Sequence, residues 1–571
     1  MSSAEMTLPL WRRSTLVIAL VGSFLMWAAL PPLALSWLAW IAPVPWLVLI
    51  RMDALPGRRP YQSLYLAGFA FWLVVTQWLR LAHPAVIPLW FLLSAYLGFY
   101  LPVFVAVSRV AVHRYSMPLW IAAPVVWTGL ELARAHLLTG FLMASLAHTQ
   151  VHATMLIQIS DLVGEYGVDF VVMLTAACIV SAFWKADSQL QTAPTKPESD
   201  ATNAKRQLSF RPVALLPAVL VLAATLGYGA ERLHQASAGE QFPHRPIARV
   251  ALIQGNALAY WKLDEDRQRQ IMDQYVRLSE QAVAKARRIG DGRPLNLIVW
   301  PETMYRNPLR EFEPGFVLPS EAETTTEEIT SGDRRELANL ASHLGTPLMV
   351  GIDRYKFLAD NGSAAKFPPY RAYNAAVLVE PNGRLVGSYD KMHLVMFGEY
   401  VPLAGWLPFL NRLSTLTGNV EAGAGPVAMC TGGVCYIPSI CYETVFPHVI
   451  RDHVATLEAN SERPGALVNL TNDAWYWGSS GLDLHLDCGV FRAVETRLPL
   501  IVAANGGISA WIDHLGRIRA QSPRMQQNTI IADIEQSNLK SIYVRFGDWF
   551  SGACLAFSIV LAVAGRRGRR R

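Results

Sequence analysis

The sequence predicts a polytopic α-helical membrane protein that carries one folded α/β domain. Two patterns predict it. Long apolar stretches fill the first 230 residues and another returns near the C-terminus, while the chain between alternates short β-rich runs with amphipathic helices. A length of 571 residues would suit about four globular domains, but the 52% hydrophobic content is segregated rather than spread.

A helix that crosses a hydrocarbon core needs roughly 20 mostly apolar residues. Eight windows of this kind occur, at 14–30, 32–50, 62–79, 86–108, 118–138, 166–184, 212–229 and 549–565. Pro31 and Pro32 divide the first two, and the fifth carries Glu131 and Arg134 near its far end. Three residues apart, these two charges share a helix face, either as a structural ion pair or as contacts for a lipid headgroup. Residues 1–230 then form an N-terminal membrane domain of seven spans, 245–540 the folded domain, 549–565 a C-terminal span and 566–571 a basic tail.

Short cytoplasmic loops accumulate Lys and Arg, which orients the chain. Arg12 and Arg13 precede the first span, and Arg51, Arg58 and Arg59 follow the second. Arg109 and Arg114 follow the fourth, Lys185 to Arg211 bracket the loop after the sixth, and RRGRRR closes the chain. With eight spans all of these fall on one side, so both termini are cytoplasmic and the domain at 245–540 lies outside the cytoplasmic membrane. Residues 11–30 have the look of a signal peptide, but further spans follow at once and favour an uncleaved first span. Residues 186–210, polar and poor in apolar side chains, read as a disordered cytoplasmic loop. The net charge of +6 comes mostly from these flanking residues and gives no case for nucleic acid.

Six cysteines in a chain this long do not make a disulfide framework. Cys178 and Cys554 fall in spans and read as packing. Cys430 and Cys435 flank TGGV and either bridge or stay free. Cys441, in SICYETVF, ends an apolar run and is followed at once by a tyrosine and a glutamate. It reads as a buried thiol, a disulfide half or a nucleophile.

Within the domain, strands are expected at 249–256, 295–302, 346–355, 375–380, 436–443, 465–475, 500–506 and 529–535, and helices at 264–289, 333–344, 446–458 and 485–497. PNGR at 381–384 and HLGR at 514–517 signal two hairpins. Three strand ends carry reactive groups: Glu302 ends LIVWPE, Lys391 follows LVGSYD, and Cys441 ends YIPSI. A cysteine attacks as its thiolate and needs a base or a positive neighbour to be poised at neutral pH. Glu302 can serve as that base. The tetrahedral oxyanion that follows needs fixed positive charge or oriented N–H groups, which Lys391 and the backbone of Tyr442 can supply. Glu399, eight residues beyond Lys391, can orient the lysine or pass protons.

The ordered set IVWPE, YDKMHLV with GEYVP, ICYE and NLTNDAW resembles the carbon-nitrogen hydrolase (nitrilase) superfamily, whose catalytic set is glutamate, lysine and cysteine. With PPLALSWLAWIAPVPWLVL, ELARAHLLTGF and IQISDLVGEYGVDF before the domain, the whole chain is similar to the membrane branch of that superfamily, the apolipoprotein N-acyltransferase family. The resemblance implies a four-layer αββα sandwich on the periplasmic side of a bacterial inner membrane. It implies Glu302 as general base, Lys391 as oxyanion stabiliser and Cys441 as nucleophile, with Glu399, Tyr442 and Glu443 in support. Trp261 sits near the position of a functional tryptophan of the family. The reaction implied is ping-pong: an acyl chain passes from a phospholipid to Cys441 as a thioester, then to the N-terminal amine of an apolipoprotein. Trp406 and Phe409, with Leu407 and Pro408, either dip into the bilayer and contact substrate or pack on the spans. Leu142, Met143 and Met396 depart from the family pattern, which has proline and tryptophan at the first two and proline at the third.

Two other readings remain open at this point. One is a membrane-bound amidase or nitrilase-type hydrolase that uses the same glutamate, lysine and cysteine with water as acceptor. The other is a transporter or receptor whose domain binds without chemistry. No HExxH, paired CxxC or phosphate-cradling glycine loop occurs, so neither metal nor cofactor is expected, and a monomer is.

Overall fold

The computed structural model describes residues 14–183, 210–239, 246–259, 264–318, 323–359, 370–400, 420–460 and 464–567. Among them, thirteen strands form two sheets. The first contains β1 (Ala248–Gln254), β2 (Leu297–Val299), β3 (Tyr305–Phe312), β4 (Leu348–Phe357), β5 (Tyr370–Val379) and β6 (Leu385–Asp390), closed by β13 (Asn528–Ile534). Its order is β13-β1-β2-β4-β5-β6, with β3 also paired to β4. The second runs β12-β11-β10-β9-β8-β7 and is built from β7 (Met429–Thr431), β8 (Val434–Ile440), β9 (Ala466–Asn472), β10 (Leu500–Asn505), β11 (Ala510–Ile512) and β12 (Ile518–Gln521).

Side-chain alternation sorts the strands into layers. In β1, Val250 and Leu252 join Leu297, Val299, Met349, Ile440, Val468 and Ile501 in a core between the sheets. Their neighbours Ala251 and Ile253 point the other way, against Ile271, Tyr275 and Leu278 of the helix Glu265–Arg288 and Leu337 of the helix Thr326–Leu344. Leu467, Leu500 and Val502 of the second sheet face Ile450 and Val454 of Pro447–Ala459 and Val490 and Phe491 of Gly481–Thr496. The result is an αββα sandwich.

Several boundaries differ from those expected. The helix anticipated from 333 starts at Thr326, because Thr325 and Glu328 form a capping box ahead of it. β3 was not anticipated, since YRNPLREF is too charged to read as a strand. Cys441 is not the last strand residue but the first of the tight turn Cys441–Val445. PNGR joins β5 to β6, with Gly383 at φ +87°. Cys430 and Cys435 face each other across β7 and β8 and are joined in a disulfide.

Among the described residues, four helical segments are long and apolar enough to cross a membrane: Pro84–Arg114, Tyr166–Phe183, Pro212–Ser237 and Trp549–Arg566. Thr15–Ala29, Ser36–Arg51 and Pro60–Val75 are apolar but shorter, and the helix Leu119–His136 carries Glu131, Arg134 and His136 in its last two turns. The eight windows of the sequence thus comprise four segments of spanning length and four that fall short of that description. Pro212–Ser237 and Trp549–Arg566 turn apolar residues outward, among them Val213, Val219, Leu220, Ile559 and Val560, whereas Tyr166–Phe183 is mostly buried. The expected loop at 186–210 lies outside the described residues except for Phe210, and so does the tail beyond Arg567.

The helices and the sandwich share one core. Phe141, Leu142, Leu146 and Ile157 pack in the same cluster as Ile450, Val454 and Leu482. Gly140 lies at this junction at φ +86°, where a Cβ would come within 2.7 Å of the Phe446 ring and 2.1 Å of the Ala135 carbonyl oxygen, so only glycine fits. Buried ion pairs reinforce the junction, with Arg492 on Glu165 at 2.7 Å and Arg497 on Asp161 at 2.8 Å.

Candidate active site

Three strand ends converge at one edge of the sandwich. β2 ends at Val299, and the chain turns through Trp300 and Pro301 to place Glu302 against β4. Gly351 of β4 makes room for that turn, since a Cβ there would lie 2.5 Å from the Glu302 Cα. Lys391 follows β6, its backbone N–H donating to the Asn374 carbonyl at 2.8 Å and its carbonyl accepting from Gly423 at 2.9 Å. Arg354 holds the preceding Asp390 at 2.5 Å.

The side chains form a closed set. Lys391 Nζ donates to Glu399 Oε1 at 2.9 Å and to Glu302 Oε1 at 3.4 Å. Asn374 Nδ2 bridges the same two carboxylates, at 2.7 Å from Glu302 and 3.1 Å from Glu399. The second Glu302 oxygen accepts the Asn472 backbone N–H at 2.9 Å, a bond from the first sheet to the end of β9 in the second. Glu399 Oε2 accepts the Val395 N–H at 2.8 Å. Lys391 is 1% exposed. Burial opposes its charge, yet Glu399, Glu302 and the Cys441 sulfur outweigh burial and hold the ammonium well above the usual lysine range.

Cys441 opens its turn in the left-handed region at φ +53° and is half-buried. Burial first, then the Glu302 carboxylate, push its thiol well above the ordinary range, while Lys391 pulls it down. A thiol held up in this way needs a base beside it to attack. Glu443 ties this turn to the lysine loop. Its Oε2 accepts the Ile440 N–H at 2.6 Å, and its Oε1 accepts the N–H groups of Met392 at 2.7 Å and His393 at 3.0 Å. Tyr389 donates to both oxygens at 2.9 Å. Arg492, held by Glu165, also donates to the carbonyls of Thr444 at 3.2 Å and Val445 at 3.3 Å within the same turn. Tyr442 packs edge-on against Phe446 with ring centroids 4.9 Å apart.

The structure thus brings Glu302, Lys391, Cys441, Glu399 and Glu443 together, with Tyr442 beside them. Glu131 and Arg134 are buried and pair with each other. Arg134 also donates to the Phe141 and Met143 carbonyls at 2.9 and 2.8 Å and lies over the Trp72 ring, the arrangement of a structural ion pair. Trp261, Trp406 and Phe409 lie outside the described residues. Sequence reasoning passed over Asn374, Asn472 and His485. The signal for Asn472 was present in NLTND, a polar run closing an apolar strand; Asn374 stands one residue before the expected strand and gave none.

A sandwich of this layering, with glutamate, lysine and cysteine meeting at its strand ends, defines a carbon-nitrogen hydrolase domain. The Carbon-nitrogen hydrolase family model matches residues 249–543, and the model of the Apolipoprotein N-acyltransferase N-terminal domain matches residues 22–178. The Apolipoprotein N-acyltransferase of Geobacter metallireducens is 33% identical over 569 residues, covering 97% of this chain and 96% of the relative. That of Rhodopirellula baltica is 30% identical over 567 residues, covering 92% and 93%. The chain belongs to the apolipoprotein N-acyltransferase family. An amidase from Nesterenkonia sp. aligns over 53% of this chain at 18% identity and a TM-score of 0.34, too loosely to bear on function.

Proposed function

We propose that this chain transfers an acyl chain from a phospholipid, through a thioester on Cys441, to the N-terminal amine of diacylglyceryl-cysteine in apolipoproteins. The observation that carries the reading is the buried Lys391 ammonium between Glu302 and Glu399, with Cys441 at the head of a left-handed turn, in a chain whose relatives along nearly its whole length are named apolipoprotein N-acyltransferase. In the first half-reaction Glu302 takes the Cys441 proton as sulfur attacks the ester carbonyl. Lys391 and the Tyr442 N–H stabilise the oxyanion. The ester C–O bond breaks, Glu302 returns the proton to the departing lysophospholipid alkoxide, and the thioester remains. In the second half the acceptor amine attacks the thioester, Glu302 takes its proton, and as the C–S bond breaks Glu302 passes that proton to the departing sulfur, leaving the amide and restoring the thiol. The water-resolved hydrolase reading is less supported, because the relatives matched along the whole chain are named N-acyltransferases.

We assign residues 1–230 to a membrane domain, 245–540 to the catalytic domain and 549–565 to a last span, with eight spans in all. Both termini are then cytoplasmic and the catalytic domain periplasmic. The basic loops support this orientation, as does the Cys430–Cys435 disulfide, which belongs in an oxidising compartment. The protein acts as a monomer in the inner membrane, where both substrates are held by their acyl chains. Intact mass spectrometry of the purified protein with phospholipid vesicles tests the reading. A hydroxylamine-labile acyl mass, missing in Cys441→Ala, is expected; no adduct with any donor, together with a Cys441 inert to alkylation, sinks it.

A further inference from the structure

The Cys441 carbonyl is held by three side chains. His485 Nε2 lies 3.1 Å from it, Asn469 Nδ2 donates at 3.2 Å, and the Thr444 hydroxyl donates at 3.2 Å. The other His485 nitrogen, Nδ1, stands 3.2 Å from Asp473 Oδ1, which accepts the Thr471 hydroxyl at 2.8 Å. Asp473 is itself walled in, since a Cβ on Gly507 would fall 2.3 Å from its Oδ2.

His485 Nε2 also lies 3.0 Å from the Thr444 hydroxyl, which can donate or accept, so the ring's state turns on the two partners that only accept. A backbone carbonyl and an ionised carboxylate only accept, so both ring nitrogens must carry hydrogen to satisfy both partners. A neutral imidazole would release the Cys441 carbonyl or turn a lone pair on Asp473. The titratable groups that act on the ring are Asp473 and Glu302. Burial opposes the charge, and Asp473, the Cys441 carbonyl and Glu302 outweigh it, raising His485 above the ordinary histidine value.

We propose that His485, as an imidazolium fixed by Asp473, is a positioning residue for Cys441: it holds the left-handed backbone that aims the thiol at its target. A non-glycine residue in that conformation persists only where its surroundings over-determine it, and His485 is the member of the grip that lets go when it loses a proton. The inference rests on the reading of Cys441 as the nucleophile.

The test follows alkylation of Cys441 by iodoacetamide in the full-length, detergent-solubilised protein from about pH 6 to about pH 10, read by peptide mass spectrometry. Acyl-adduct formation from phosphatidylethanolamine vesicles is measured in parallel. His485→Gln, which keeps a donor but not the charge, is expected to melt near the wild type yet slow both reactions about tenfold, and His485→Ala about a hundredfold. Asp473→Asn should move the break in the pH profile to lower pH. The wild type alone carries the test if the variants do not fold. Its log rate should rise less steeply once His485 loses its proton, whereas unit slope up to the thiolate plateau overturns the proposal. Folded His485→Gln with wild-type rates and profile also overturns it. A wild type that takes no acyl adduct fails the nucleophile reading instead, which keeps the two failures apart.

Discussion

Lys391 Nζ donates to Glu399 Oε1 at 2.9 Å, and the two residues belong to one loop. The lysine also reaches Glu302, so one cationic charge is shared between a supporting carboxylate and the proposed base. Removing either partner upsets a balance made out of water, where charges act strongly.

Glu399→Gln keeps an oxygen for Lys391 but removes the charge that offsets it. The kcat for transfer should fall about a hundredfold, with little change in KM for the acceptor, because the loss falls on transition-state stabilisation. Lys391→Met should cost more, about a thousandfold. Initial rates with a labelled phospholipid and a diacylglyceryl-cysteine peptide check both.

Glu302→Gln should move two observables in opposite directions. Burial and the Glu302 carboxylate together hold the Cys441 thiol up. Taking away the carboxylate lowers the thiol toward its ordinary range, so alkylation at mildly alkaline pH speeds up. Acyl transfer, which needs the base, should drop by about 10²–10⁴. Parallel slowing of both would remove Glu302 from the role of base.

Arg492 is fully buried between Glu165 and the carbonyls of Thr444 and Val445. Arg492→Met leaves Glu165 short of its partner in the low-dielectric junction, a loss of about 3–5 kcal/mol. Thermal unfolding in detergent should register this as a large fall in Tm, with loss of activity in any folded remainder because the Cys441 turn loses two of its anchors.

Acid should destabilise the sandwich through His453. The ring is 1% exposed, neither nitrogen has a hydrogen-bond partner among the described residues, and burial lowers it to about 4. Above the unfolded value of about 6.5 neither state binds the proton and stability is full. As pH falls through the interval between those two values only the unfolded chain takes it up, and stability drops by about 1.4 kcal/mol per unit, or about 2 kcal/mol by pH 5. His453→Phe should flatten the fall of Tm between pH 7 and pH 5.

Much of this was legible because the residues that matter end regular elements. Period-two runs such as RVALIQGN and LNLIVWPE announce strands, and Glu302, Lys391 and Cys441 stand where those runs stop. The cross-links between sheets were not legible. The bond from Asn472 to Glu302 joins residues 170 apart in sequence, and periodicity carries no information about such pairs. β3 escaped because RNPLREF pairs with β4 through its backbone, which charge patterning cannot reveal. Hydropathy found the apolar helices but could not see their breaks, such as the one between Ile87–Gly98 and Tyr100–Arg109 at Phe99.

The most direct measurement isolates the acylated enzyme, removes the donor and adds a peptide bearing diacylglyceryl-cysteine with a free amine. Passage of the acyl mass from Cys441 to that amine in a single turnover, one for one, is the predicted result. Release of free fatty acid with the peptide unchanged, or acylation of the peptide by a Cys441→Ala variant, would contradict it.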